Sequence, residues 1–306
     1  ARRGCGHTRP NPPVGAVVVA GGAVVGEGFH RRAGRAHAEV AAIACARRRL
    51  GARAEAVLAE ATLYVTLEPC SRPGRVGACT DAIAAAGIPR VVYAVGDPNP
   101  TNRGRATRVL AARGIRCERF RGDRQVLAAA RDLIAPFAKH VTTGLPYVTV
   151  KLAMSLDGRI CDDAGQARWI SSATSRAHTG RLRAEADAIL VGAETVRRDD
   201  PSLLCHQRRN DDLVRVVVSK SGKLPRTAQV FADGKNETLV FRDAAEAIRA
   251  LGARGFLHVL CEGGLTLATS LVEAGLVDEW RTVLAPCVIG HRPMAAAARL
   301  RLASVD

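Results

Sequence analysis

Three residues constrain this chain more than any others: His37 in "HAEVAA" (37–42), and Cys70 and Cys79 in "LEPCSRPGRVGAC" (67–79). Two thiolates and one imidazole suit zinc better than magnesium or iron. A catalytic zinc takes three protein ligands and keeps a fourth position open to water. If one metal takes all three, the fold must bring together a helix start at His37, the end of a strand at Cys70 and a helix start at Cys79. Glu39 lies two residues past His37, where it can reach a bound water without ligating the metal. The competing readings are a structural zinc, or two unrelated buried cysteines.

Around this triad the sequence alternates strands with helices, which implies a layered α/β domain. "VGAVVVA" (14–20) and "AVVGEGF" (23–29), joined by Gly21-Gly22, read as a β-hairpin. A helix is expected over 37–50, a strand over 61–67, a helix over 79–88 and a strand over 90–95. The turn "GDPNP" (96–100) leads to a helix near 104–113, a strand near 115–120 and a helix over 123–137. "KHVTTGLPYV" (139–148) is polar, with Gly and Pro, and reads as a linker between domains 1–142 and 145–306. A second α/β series follows. Strands are expected over 147–155, 187–192, 214–219, 256–261 and 278–286, with helices over 172–186, 243–255 and 262–275.

A length of 306 residues suits two domains. The 47% hydrophobic content and mean hydropathy of +0.02 fit soluble globular domains with real cores. No apolar run approaches the roughly 20 residues of a membrane span, so no membrane association is expected. "ARRGCGHTRPNP" (1–12) has no apolar core of a signal peptide. Nine cysteines, an odd number without a dense framework, fit a reducing cytoplasm. The net charge of +16 comes almost wholly from Arg. Nucleic acid, phosphorylated small molecules or plain compositional bias could each account for it. With aromatics at 4% and no basic block interleaved with them, nucleic acid is not expected as a partner.

Glu39 at the helix start can take a proton from water and pass it to a leaving amine. H-x-E followed by P-C and a second Cys is the pattern of zinc deaminases. Here eight residues separate the cysteines, whereas nucleic-acid and nucleoside deaminases usually have C-x-x-C. "CSRPGRVGAC" (70–79) resembles the loop of the bifunctional riboflavin-biosynthesis deaminase–reductase family, approximately C-S-H-x-G-[RK]-T-P-P-C. "RPNPPVGAVVV" (9–19), "GEGFHRRAGRAHAEVAA" (26–42), "YVTLEPC" (64–70) and "VVYAVGDPNP" (91–100) match that family in order. So do "GLPYVTVKLAMSLDGRI" (144–160), "RWISSATSR" (168–176), "DAILVGAETVRRDDPSL" (187–203), "CEGGLTLATSLVEAGLVDE" (261–279) and "APCVIG" (285–290).

The resemblance implies a cytidine-deaminase-like three-layer domain followed by a dihydrofolate-reductase-like domain. It implies zinc on His37, Cys70 and Cys79, with Glu39 as proton shuttle. Asn11, Arg72, Arg75, Asp97 and Asn99 are the implied substrate contacts of the deaminase. Ala167, Arg183, Leu203, His206 and Glu262 are those of the reductase. NADPH is expected on Lys151, Ala153, Trp169, Thr195 and Asp199, and on the turn Gly264, Leu265, Thr266, Leu267, Ala268, Thr269 and Ser270. On physical grounds, Glu262-Gly263-Gly264 opens a helix whose free N–H groups suit a phosphate. Lys151 is costly to bury unpaired, and Asp199 and Glu262 are its candidate partners. Trp169 flanks a nicotinamide or else packs in a core.

The expected reaction sequence starts with hydrolysis of the 2-amino group of 2,5-diamino-6-(ribosylamino)pyrimidin-4-one 5'-phosphate. NADPH-dependent reduction of the ribosyl group to ribityl follows. The expected partner is that small phosphorylated pyrimidine, and the expected assembly a homodimer through the reductase domain. The chain departs from the family at Arg72 (for His), at Val76-Gly77-Ala78 (for Thr-Pro-Pro), at Ala167 (for Ser), at Leu204 (for Thr) and at His206 (for Arg). The reductase half also reads as stopping before the last strands expected of it. Two other readings stay open: an active deaminase with an impaired or repurposed reductase acting on a related pyrimidine, and a nucleic-acid deaminase or a binding protein on the same scaffold. The long cysteine loop and the whole second half argue against the latter.

Overall fold

The computed structural model describes residues 1–72, 77–165, 169–205 and 212–290. It divides into two compact units, Ala1–Thr143 and Gly144–Asp306.

The first unit is built on a five-stranded sheet of order β2-β1-β3-β4-β5. Its strands are β1 (Gly15–Ala20), β2 (Ala23–Phe29), β3 (Thr62–Leu67), β4 (Arg90–Val95) and β5 (Arg116–Arg119). β1 runs antiparallel to β2 and β3, and β3, β4 and β5 are parallel. The helices are α1 (Ala38–Leu50), α2 (Ala54–Leu58), α3 (Cys79–Ala85), α4 (Arg105–Ala111) and α5 (Arg124–Thr143). Ala38, Ala42, Ile43 and Ala46 of α1, Ile83 of α3 and Leu110 of α4 pack on Ala16, Val18, Leu63, Val65 and Val91. α1 lies flush on β2. A Cβ at Gly26 would sit 2.5 Å from the Ala42 carbonyl oxygen, and one at Gly28 would sit 2.4 Å from the Ala42 nitrogen. The two glycines of "GEGF" are therefore what admits the helix.

The second unit carries a six-stranded, wholly parallel sheet of order β11-β6-β10-β7-β8-β9. Its strands are β6 (Tyr147–Ser155), β7 (Ala188–Gly192), β8 (Val214–Val218), β9 (Thr238–Phe241), β10 (His258–Cys261) and β11 (Glu279–Ala285). Its helices are α6 (Ala173–Glu185), α7 (Ala193–Asp199), α8 (Gln229–Ala232), α9 (Ala244–Ala253) and α10 (Leu265–Glu273). Parallel strands are covered on both faces, so they read as apolar runs rather than alternating ones. One face holds Val150, Leu190, Val216 and Val259 against Ile248 and Leu251 of α9 and Leu271 of α10. The other holds Ile189, Val191 and Val217 against Val196, Leu203 and Val230.

The boundary between the units falls within the expected linker 139–148, but the connection is shorter than that stretch. α5 runs on to Thr143, and β6 begins at Tyr147. The polar ends of this stretch are satisfied within the helix: the Thr142 hydroxyl donates to the Ala138 carbonyl at 2.8 Å, and the Thr143 hydroxyl to that of Lys139 at 2.8 Å. α2, α7, α8 and β9 are short elements that periodicity does not reveal. Among the described residues, no helix is long and apolar enough to cross a membrane.

Candidate active sites

His37 is the N-cap of α1, Cys70 follows β3, and Cys79 is the first residue of α3. Their ligand atoms all lie within 4.8 Å of one another. His37 Nδ1 is 3.2 Å from Cys79 Sγ and 3.5 Å from Cys70 Sγ, and the Cys79 N–H donates to Cys70 Sγ at 3.3 Å. A hydrogen bond from Cys79 and a second from His37 draw the Cys70 thiol down to about 4, against burial. The same bond to Cys70, with burial, pushes Cys79 up. The His37 imidazole is held above its ordinary range, chiefly by its hydrogen bond to Cys70. Two thiols and an imidazole this close together form a donor set that suits zinc, whose binding displaces thiol protons. Glu39, 3% exposed in the first turn of α1, has its carboxyl pushed up by burial. The donor set fits zinc, with Glu39 placed beside it.

Asn11 and Asp97 are both fixed by neighbours. Asn11 Nδ2 lies 3.1 Å from His30 Nε2. His30 is buried, its Nδ1 lies 3.2 Å from the Ala36 carbonyl, and its ring meets that of His37 edge-on at 5.1 Å. Asp97 Oδ1 accepts from the Asn99 N–H at 2.8 Å, and burial raises its pKa. Asn99 Oδ1 accepts from the Thr101 N–H and hydroxyl at 3.0 and 2.9 Å, which fixes its amide plane. Arg72 is exposed, and Arg75 lies outside the described residues.

Sequence reasoning missed Glu68. This buried carboxylate accepts from the backbone N–H groups of Asp97, Gly104 and Ala106 at 3.1, 3.1 and 3.2 Å. It also missed His30 and Asn102. Glu68 and His30 sit inside quoted motifs, "YVTLEPC" and "GEGFHRRAGRAHAE", which is the signal that could have found them.

In the second unit, α7 follows β7 and α10 follows β10, and these two strands are neighbours. Gly192 and Gly264 are the N-caps of the two helices. Two helix starts thus open at the carboxyl ends of adjacent parallel strands, where an open α/β sheet binds its ligand and backbone N–H groups suit a phosphate. Thr195 and Asp199 lie on α7, and Lys151 and Ala153 share one face of β6, which pairs with β10. Residues 265–270 are helix rather than turn. Leu267 and Ala268 are 8% and 0% exposed and face the core, and their N–H groups both donate to the Gly264 carbonyl at 3.1 Å, so this pair is closed to a ligand. A Cβ at Gly263 would lie 2.5 Å from Leu267 Cδ2, so glycine is what allows the strand to enter this helix closely.

Arg183 forms a forked pair with Glu262, Nε to Oε1 at 2.6 Å and Nη2 to Oε2 at 3.0 Å, and Nη1 donates to the Leu204 carbonyl at 3.3 Å. The hydrogen-bonded partner of Glu262 is therefore Arg183 and not Lys151. Lys151 senses Glu262 as a nearby charge, while burial holds its ammonium below the usual range. Leu203 is 1% exposed with φ +55°, a strained value for a side-chain-bearing residue. Trp169 is 67% exposed, with the Arg176 guanidinium 4.4 Å from its ring centre, so it is not a core residue. Ala167 and His206 lie outside the described residues.

Comparison with known proteins agrees with both units. The family described as the cytidine and deoxycytidylate deaminase zinc-binding region matches residues 1–95, and the RibD C-terminal domain matches residues 146–302. The riboflavin biosynthesis protein RibD of Bacillus amyloliquefaciens is 39% identical over 320 residues, covering 95% of this chain and 82% of that protein. A crystal structure from Thermotoga maritima, a diaminohydroxyphosphoribosylaminopyrimidine deaminase/5-amino-6-(5-phosphoribosylamino)uracil reductase, superposes with a TM-score of 0.84 at 32% identity, covering 95% of this chain and 85% of that one. Acinetobacter baumannii RibD gives a TM-score of 0.78 at 34% identity, covering 95% and 85%. With both halves matched in order along one polypeptide, the chain belongs to the RibD family of riboflavin biosynthesis proteins, a deaminase unit followed by a reductase unit.

Proposed function

We propose that the first unit deaminates 2,5-diamino-6-(ribosylamino)pyrimidin-4-one 5'-phosphate and that the second reduces the ribosyl group of the product to ribityl. The convergence of His37, Cys70 and Cys79 beside a buried Glu39 carries this reading. These three residues would hold zinc, which would supply a water activated for attack at neutral pH. Glu39 takes a proton from the attacking water and hands one to the departing amine. Burial supports this double role, because a carboxyl with raised proton affinity is a better base toward the water, and a proton exchanger works best when its affinity is moved toward the working pH. Asp97 and the Asn99 amide meet the edge of the pyrimidine. Asn11, its amide oriented by His30, lines the same site. Arg72 and Arg75 take the phosphate side.

In the second unit, NADPH supplies the hydride. The N–H groups at the starts of α7 and α10 would hold its phosphates, and Lys151, Ala153, Trp169, Thr195 and Asp199 would line its bed. Arg183, Glu262 and the strained turn at Leu203 orient the substrate, and Ala167 and His206 stand on its phosphate side. The free state of all nine cysteines supports a reducing cytoplasm as the place of action. Exposed Trp280 and Leu284 on the outer strand β11 support association through the reductase unit. Purified protein incubated with the diaminopyrimidinone, with and without NADPH, tests the whole. Deaminated product without NADPH and ribityl product with it are expected. Ribityl product never forming with NADPH would refute the assignment of the second unit.

A further inference from the structure

Asn102 lies in "DPNPTN" (97–102), ahead of α4, and is 6% exposed. Its amide makes four hydrogen bonds. Nδ2 donates to Asp97 Oδ2 at 2.9 Å and to the Pro69 carbonyl at 3.4 Å. Oδ1 accepts from the Ser71 N–H at 2.9 Å and from the Ser71 hydroxyl at 2.8 Å. Pro69 and Ser71 are the two neighbours of Cys70 in the chain. One planar group therefore grips both sides of a metal ligand and also holds the free oxygen of a carboxylate, because the other oxygen, Oδ1, is occupied by Asn99. All the hydrogen-bonding capacity of an asparagine side chain is used. No other side-chain type offers two donors and two acceptors in that compact plane; an apolar residue here would strand Ser71 and Asp97 in a buried place.

We propose that Asn102 is a positioning residue of the deaminase: it sets the distance and angle between the metal-ligand turn at Cys70 and the Asp97 carboxylate, and thereby substrate affinity. This rests on the reading of Asp97 as a contact to the pyrimidine edge. Backbone around Cys70 fixes where the reacting carbon sits, and Asp97 fixes where the rest of the ring sits. A rigid link between them makes one productive pose.

Asn102→Asp tests the link selectively. It keeps an oxygen facing Ser71 but sets an acceptor against Asp97 and the Pro69 carbonyl, so the link to Asp97 and the long bond to Pro69 are lost while the hold on Ser71 stays. The expected result is a KM for deamination raised by about tenfold or more, with kcat held within about threefold. Zinc content per chain and NADPH-dependent reduction of the deaminated intermediate should match the parent. A merely structural amide would instead lower stability and zinc content and leave the KM of the loaded fraction alone. A KM within about twofold of the parent, or zinc lost along with activity, overturns the proposal. If Asn102→Asp does not fold, Asn102→Ala takes its place and must show the same rise in KM with zinc retained; failure of both to load zinc also overturns it. Asp97→Asn separates the two levels. An unchanged KM there removes Asp97 as a substrate contact and this inference with it. A raised KM there, with none in Asn102→Asp, removes the inference alone.

Discussion

Arg215, the second residue of β8, is 2% exposed in the middle of a parallel sheet. Its Nη1 and Nη2 meet Asp233 Oδ2 and Oδ1 at 2.6 and 2.9 Å, with further bonds to the Ser202 carbonyl at 3.3 Å and the Asn236 carbonyl at 2.6 Å. Arg215→Met removes the cation and leaves Asp233, whose side chain is 15% exposed, with its charge uncompensated. Breaking a buried pair from one side costs about 3–5 kcal/mol. Asp233 retains the Lys235 N–H at 3.1 Å, which places the expected loss near the lower bound, about 3 kcal/mol. Arg215→Met combined with Asp233→Leu deletes both charges and their desolvation cost. Both variants forfeit the two carbonyl contacts, so these do not enter the difference between them. The double variant should therefore be more stable than the single one. Urea unfolding followed by tryptophan fluorescence reads this unit alone, because both tryptophans, Trp169 and Trp280, lie within Gly144–Asp306. With a slope of about 1–3 kcal/mol per molar urea, the single variant should lose about 1–3 M in midpoint. A loss below about 1 kcal/mol, or a double variant weaker than the single, would refute the view that Arg215 and Asp233 each depend on the other for charge compensation.

Four further outcomes are expected. Cys79→Ala should abolish stoichiometric zinc, checked by metal analysis of purified protein; full occupancy would remove Cys79 from the ligand set. Glu39→Gln should keep zinc and slow deamination by roughly two to four orders of magnitude, measured by release of ammonia, with reduction untouched. Ala167→Ser with His206→Arg should lower the KM for the phosphorylated intermediate and leave that for NADPH alone, because each hydrogen bond to a charged group contributes about 1.5–3 kcal/mol. Lys151 should give the reductase unit an alkaline rise in stability. Its folded pKa is lowered by burial, so between that value and the ordinary one of about 10.4 the unfolded chain binds more protons, and stability climbs with pH. Unfolding titrations across that window should show a flatter slope for Lys151→Met, and an identical slope would count against the burial effect.

The deaminase centre was legible because ligand chemistry is local. His37, Glu39 and Cys70 sit in short motifs whose residue types already dictate their partners, and the strands and helices around them follow from periodicity. What escaped was long-range. Glu68 is 29 to 38 residues from the N–H groups it accepts from, and Asn102 is 31 from Ser71. No pattern in a linear string ties such residues together. The expected linker was drawn too long for the opposite reason: Thr142 and Thr143 look like loop residues, yet each bonds back into its own helix. In the reductase unit the strands were legible as apolar runs, but the partner of Glu262 was not, because Arg183 reaches it across 79 residues.

Housing the two units in one polypeptide, Ala1–Thr143 and Gly144–Asp306, has a kinetic consequence. Their copy numbers are locked together, so no change in expression can rebalance the two steps. At steady state both carry the same flux. Below saturation, the standing pool of deaminated intermediate then equals that flux divided by the product of enzyme concentration and the kcat/KM of the reductase. A reductase weakened at Ala167 or His206 would leave throughput intact and enlarge the pool in inverse proportion. The sensitive readout of its condition in a living cell is thus the level of the intermediate, not the rate of the final product.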